Sequence, residues 1–296
     1  MTYTTREVGL KNSTNYKVYI EKHGKPVSPF HDIQLNVNIE KQIFRMVVDT
    51  PMWSSAKFAV DKEQKMNPII QTAEKGSLTS VKHTSVHRGY LYNCGFFPQT
   101  WNDSKKSGAN FKNLGANNPI GVIDVAASNA YTGQVKAVKV LGALELIDKD
   151  KHELKAIVID VSDPMASKLH SIEDVDKHMP GFIEHTNQCF GVYKTTIRNL
   201  DSPDARYWCK NYALSFIRKC NKSWKKLVRG KVDPENISLT NTTLNYTPSY
   251  VASVDSLNLP YFGITKEGPI EHEITSGHNS DHFFNEDIYS KVTTDE

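Results

Sequence analysis

The first two-thirds of the chain carry short apolar runs broken by turn residues, which is the pattern of strands. Residues 16–20, followed by the turn His23-Gly24-Lys25-Pro26, predict a hairpin. Further strand-like runs cover residues 44–49, 56–60, 121–125, 134–147 and 155–161. The pattern then lengthens to a helical one. Ser171-Ile172-Glu173-Asp174 reads as a capping box with Asp in place of the usual Glu. Pro180 suits the first turn of a second helix, and Phe182, Cys189, Phe190 and Tyr193 follow at helical spacing. Tyr212, Phe216, Cys220, Trp224 and Leu227 form the apolar stripe of a third helix, predicted over residues 206–229. From about Asp233 onward Ser, Thr, Asn and Pro predominate. The expected organisation is a β-rich α+β domain over residues 1–232 and an irregular C-terminal extension over residues 233–296.

Composition narrows the class. With 39% hydrophobic, 10% aromatic and 23% charged residues among 296, the chain belongs with globular proteins, not disordered or collagen-like ones. No apolar run approaches the ~20 residues of a membrane span, and residues 1–7 hold no hydrophobic leader. Cys94, Cys189, Cys209 and Cys220 include no C-x-x-C pair, so free thiols in the cytoplasm are expected, with the nucleus as a second location. No P-loop, GxGxxG or GxSxG occurs, and His272, His278 and His282 lack metal-ligand spacing.

Charge is uneven although the net value is only +3. Nine basic residues and no acid fall between Arg206 and Lys231, whereas residues 266–296 hold eight acids against Lys266 and Lys291. The basic stretch reads either as a solvated helix face or as a docking surface for an acidic protein or a nucleic acid.

Several stretches together resemble the soluble family I inorganic pyrophosphatases in their longer eukaryotic cytosolic form. They are residues 2–6, residues 16–33 (YKVYIEKHGKPVSPFHDI), Asn67-Pro68-Ile69-Ile70-Gln71, Phe97-Pro98-Gln99-Thr100-Trp101, residues 130–148 (AYTGQVKAVKVLGALELID) and Ile172-Glu173-Asp174-Val175. The resemblance implies a closed, OB-like β-barrel with helices packed outside it, and hydrolysis of pyrophosphate with several Mg²⁺ ions. It also implies a homodimer, with Trp53 close to the expected contact. His87 and Arg88, ahead of Gly89-Tyr90, read as loop or interface residues.

By the same resemblance Lys57, Tyr90, Lys155, Tyr193 and Lys194 match phosphate-side positions, and Asp148 matches a metal ligand. Asp49 stands for a family Glu, and Glu153 for a family Asp. The family's Asp-x-Asp-Pro-x-Asp run reads here Ala116-Asn117-Asn118-Pro119-Ile120-Gly121, with Asn118 in place of the water-activating Asp. Ala59 replaces a Glu, Thr79 an Arg and Cys94 a Tyr. Cys94 itself reads as a small buried hydrophobe, with a reactive thiol as the alternative. Four lost carboxylates and one lost Arg leave the site about three charges more positive than the family's.

The expectation from these losses is a catalytically inactive or severely impaired relative, with no intact catalytic residue and a degraded magnesium site. Such a protein would be a binding or regulatory module, taking a phosphate-type anion with no cofactor required. Its partners would be a second copy or an active paralogue as heterodimer. A weak Mg²⁺-dependent pyrophosphatase is the alternative, and an adaptor using the basic segment 206–231 is a third reading.

Overall fold

The computed structural model describes residues 3–74, 76–79, 89–103, 105, 117–148, 151–187, 204–257 and 259. The strands before the long central pair are β1 (Tyr3–Val8), β2 (Lys17–Lys22), β3 (Lys25–Val27), β4 (Asn36–Asn38), β5 (Ile43–Thr50), β6 (Phe58–Val60), β7 (Ile69–Gln71), β8 (Ala73–Glu74), β9 (Ser77–Leu78), β10 (Asn93–Phe96) and β11 (Gly121–Asp124). Then come β12 (Val135–Asp148), β13 (Lys151–Asp160), α1 (Ile172–His178), α2 (182–187), β14 (Asp204–Cys209) and α3 (Lys210–Val228). The expected hairpin forms between β2 and β3, with His23 and Gly24 both at positive φ, as a two-residue primed turn requires.

The barrel closes through pairing around a ring. Strand β12 pairs with β13, β13 with β11 in parallel, β11 with β10, β10 with β5, and β5 again with β12. One 14-residue strand serves both ends of that ring, because β12 gives its first residues to β5 and the rest to β13. A second sheet, in the order β1-β2-β7-β6, packs Tyr16, Val18, Ile20 and Ile69 against Val47 and Phe96. Gly95 lies at the bulge between β10 and β5, where any Cβ would overlap the Val47 carbonyl.

Alternation along the strands sorts side chains to opposite sides. Val122, Ala156 and Val158 meet α3, whereas Ile123, Ile157 and Ile159 meet α1. At one end, Lys136 bridges the buried carboxylates of Asp124 (2.5 Å) and Asp160 (3.1 Å). The capping box of α1 is present, with Ser171 and Asp174 bonding reciprocally.

The helix expected over residues 206–229 begins only at Lys210. Residues 204–209 form β14, which pairs with the free edge of β12 from Gly142 to Ile147. Tyr207 packs on the α1 side and Trp208 on the α3 side, stacked on Tyr212 at 4.1 Å. An open strand edge with aromatic residues to lay against it overrode local helical spacing. The helical positions Cys189, Phe190 and Tyr193 lie outside the described residues.

The chain after α3 is irregular but packed. Ile237 and Leu244 join Phe30, Trp101, Trp224 and Leu227 in one buried cluster, and Leu257 and Leu259 join Val8, Tyr19 and Met66 in another. Asp32 fastens this strap: its carboxylate accepts from the amides and hydroxyls of Thr242 and Thr243 and from the Ser28 amide.

Candidate active site at the barrel mouth

Strand register assembles the site. Gly121 pairs with Lys155, and Cys94 pairs with Ile123 on one side and Thr50 on the other. The period of two puts Gly121, Glu153 and Lys155 in the same row as Ile123 and Ile157, one step beyond the core at the end away from the Lys136 bridge. Lys155 Nζ lies 2.5 Å from Glu153 Oε1. A Cβ on Gly121 would stand 3.2 Å from that same Nζ and 3.4 Å from Lys155 Cγ. The space a side chain at 121 would use is therefore filled by Lys155.

The charges at the mouth act on one another. Burial works against the Lys155 ammonium, but Glu153, Cys94 and Asp49 hold its pKa above the ordinary lysine value. Burial pushes the Asp49 carboxyl up to about 6, against the pull of the Thr50 hydroxyl and of Lys155 and Lys57. Lys57 precedes β6 and is exposed; its amide donates to the Thr79 carbonyl at 3.2 Å, and its carbonyl accepts from Thr72.

Ala59 is half-buried in the middle of β6, opposite Ile70. The hydroxyl of Thr79 and the amide oxygen of Gln71 are buried without a hydrogen-bond partner among the described residues. Tyr90 is half-buried, with its main chain bonded to Trp53 and Ser54. Asp148 ends β12 opposite Lys151. Ala116, Tyr193 and Lys194, as well as His87 and Arg88, lie outside the described residues.

Asn118 is exposed, and its carbonyl accepts from the Asn102 amide. Its neighbour Asn117, at φ 52°, is clamped from four sides. The Trp101 indole donates to its Oδ1, its Nδ2 donates to Glu235, Lys62 donates to its carbonyl, and its amide donates to the Asn102 carbonyl. Glu235 comes from the C-terminal strap and also pairs with Lys105 at 2.9 Å. No local pattern announces this clamp, because its members are 118 residues apart.

Among the described residues no three His, Cys, Asp or Glu side chains gather around one point. Asp49 and Glu153 nevertheless bring hard oxygen donors to the mouth. Mg²⁺ keeps several waters and is commonly held by one or two carboxylates together with substrate phosphates. This donor set fits a Mg²⁺ ion that shares its shell with a phosphate ligand, not one caged by protein alone.

A closed, OB-like β-barrel with helices packed outside it and carboxylates and lysines at its mouth is the class of protein that the fold and site define. The inorganic pyrophosphatase family matches residues 46–225, and the chain belongs to that family. It is 46% identical over 280 residues to the inorganic pyrophosphatase of Kluyveromyces lactis, covering 93% of this chain and 96% of that one. The Candida albicans inorganic pyrophosphatase is 46% identical over 276 residues, covering 92% and 96%. Among solved structures, the inorganic pyrophosphatase of Schistosoma japonicum superposes with a TM-score of 0.77 at 34% identity, covering 81% of this chain and 86% of that one. The vacuolar soluble pyrophosphatase of Trypanosoma cruzi, truncated at its N-terminal domain and in complex with PPi, gives 0.69 at 29% identity, covering 78% and 92%.

These relationships correct the reading of the chain as an inactive binding module. Near-full-length identity of 46% to proteins named inorganic pyrophosphatase opposes a pseudoenzyme with a degraded magnesium site. The expectation of no cofactor falls with it, because the family is a magnesium-dependent one. The error had a physical source. Protein carboxylates at 59, 116, 118 and 121 would not be the whole of a Mg²⁺ shell, because water and substrate oxygens supply much of it.

Proposed function

We propose that this chain is an inorganic pyrophosphatase, a Mg²⁺-dependent hydrolase of lower rate than a member with the full set of aspartates. The observation that carries the reading is the 46% identity spanning 93% of the chain. Asp49 and Glu153 would hold the metal with the substrate, joined by Asp148 at the end of β12. When bound, Mg²⁺ supplies Lewis acidity toward the phosphoryl oxygens.

The chain's own groups do the rest. Lys155 exchanges its contact with Glu153 for a phosphate oxygen, and Lys57 approaches the substrate from the exposed start of β6. By the family resemblance Tyr90, Tyr193 and Lys194 would join the phosphate side. A water oxygen bonds to one phosphorus as that phosphorus loses its bridging oxygen, and two phosphates leave. The Asn118 amide cannot accept the water's proton at neutral pH, so the proton passes to solvent. Lack of one preorganised group typically costs ~10²–10³ in rate.

Phosphate release from pyrophosphate by the purified protein, with Mg²⁺ and with a chelator, tests the reading. Release that depends on Mg²⁺ and falls ~10²-fold in Lys155→Ala is expected. No release at any Mg²⁺ concentration overturns it.

A further inference from the structure

The nine basic residues of segment 206–231 do not form one patch. Arg206 lies on β14, 3.9 Å from Glu145 and over the Trp208 ring, and Lys219 extends over Phe216. Arg218, Lys222, Lys225 and Arg229 recur at i, i+4, i+7 and i+11, so they share one stripe of α3. Lys226 flanks it, and all five are exposed. The opposite face, with Ala213, Phe216, Ile217 and Cys220, is buried against the barrel. Among the described residues none of these five makes an ion pair.

Two further features lie at the end of the stripe. Arg229 sits 5.7 Å over the ring of Tyr246, which is 56% exposed on the strap. Beside them is a cleft of about 310 Å³ whose lining includes Val232, Pro234, Leu239 and Pro248 with the charged Lys231 and Asp233. Cations that track a backbone, leading to an exposed aromatic platform beside a partly apolar cleft, are the elements by which single-stranded nucleic acids are held. A duplex would offer the phosphates but no base for Tyr246 or the cleft.

We propose that the outer face of α3, from Arg218 to Arg229, binds single-stranded nucleic acid, its phosphates along the stripe and a base stacked on Tyr246 at the cleft.

Fluorescence anisotropy of a labelled unstructured 20-nucleotide RNA with the full chain tests this. Five phosphate contacts give a log–log salt slope near −3.5, so affinity falls about a hundredfold between 50 and 200 mM KCl. The exposed triple variant Lys222→Glu, Lys225→Glu, Lys226→Glu is expected to lose binding, and its Lys→Gln counterpart to flatten the slope, both with unchanged circular dichroism. Tyr246→Ala is expected to weaken RNA binding about tenfold and leave duplex binding unchanged. Absence of binding at 50 mM KCl, or binding indifferent to these substitutions, overturns the proposal. Tighter binding of a 20-base-pair duplex overturns the single-strand assignment. A silent wild type that gains RNA binding when the eight acids of residues 266–296 are changed to amides assigns the face to the chain's own acidic segment, and overturns it as well.

Discussion

Lys155 fills the space that a side chain on Gly121 would occupy, its Nζ 3.2 Å from the position of the missing Cβ. The neighbour is the far end of a flexible side chain, so a larger residue at 121 can displace it. Gly121→Asp is expected to draw Lys155 away from Glu153 and to add one negative charge beside the carboxylates of the mouth. At ~4 Å and an effective dielectric near 20 a unit charge is worth ~4 kcal/mol, part of which Lys155 cancels. Calorimetric titration with Mg²⁺ should show at least about tenfold tighter binding than in the wild type.

Burial pulls the His31 pKa down to about 4. Its Nδ1 accepts from the Trp224 indole at 3.0 Å while Nε2 faces the Ser238 carbonyl at 3.0 Å, which fixes the neutral tautomer. Protonation would turn that acceptor into a second donor aimed at the indole N–H. The unfolded chain takes up the proton near pH 6.5 and the folded one only near 4, so stability falls as pH drops through that window. The loss should reach about 3 kcal/mol. Urea unfolding from pH 7.5 to 4 should show it, and His31→Gln should flatten this part of the slope.

Asp32, 6% exposed, binds the strap to the barrel through Thr242 and Thr243. In Asp32→Ala several buried donors lose their acceptor at once, each worth ~1–3 kcal/mol when left unsatisfied. A destabilisation of about 4 kcal/mol or more is expected in denaturant unfolding. Limited proteolysis should then cut within residues 233–257 well before the barrel is degraded.

Lys136, with 3% of its side chain exposed, lies between two carboxylates. Lys136→Met leaves Asp124 and Asp160 buried together without a cation, which typically costs ~3–5 kcal/mol. Replacing all three with apolar residues should cost much less. Thermal unfolding of both variants measures the difference.

Trp53 is 48% exposed and held at φ 66° by a bond from its amide to the Tyr90 carbonyl. A large, fixed, half-exposed aromatic fits the anchor of a homodimer. Sedimentation at micromolar concentration should give a dimer, and Trp53→Ala should weaken it at least about thirtyfold.

Local pattern was enough for most elements. The hairpin at His23-Gly24, the capping box at Ser171 and the long strands through Ala143 and Ile157 follow from residue-to-residue periodicity and turn chemistry, which act over a few positions and can be read along a line. The boundary at Lys210 could not be read that way, since residues 204–209 take their conformation from the unpaired edge of β12, some sixty residues earlier in the chain. The residue types at positions 59, 79, 94, 116, 118 and 121 are plain in the sequence, but not what surrounds them.

The sequence by itself determined the family, the β-rich class and the types of residue available to hold phosphate and metal, because these depend on identity and local order. The tertiary structure alone decided that Lys155 stands in the place of a side chain at 121, that Glu235 reaches back to clamp Asn117, and that the stripe of Arg218, Lys222, Lys225 and Arg229, with Lys226 beside it, faces outward. Each of these is a relation between distant parts of the chain, set by strand register, by the closing of β12 onto both β5 and β13, and by which face of α3 the barrel buries.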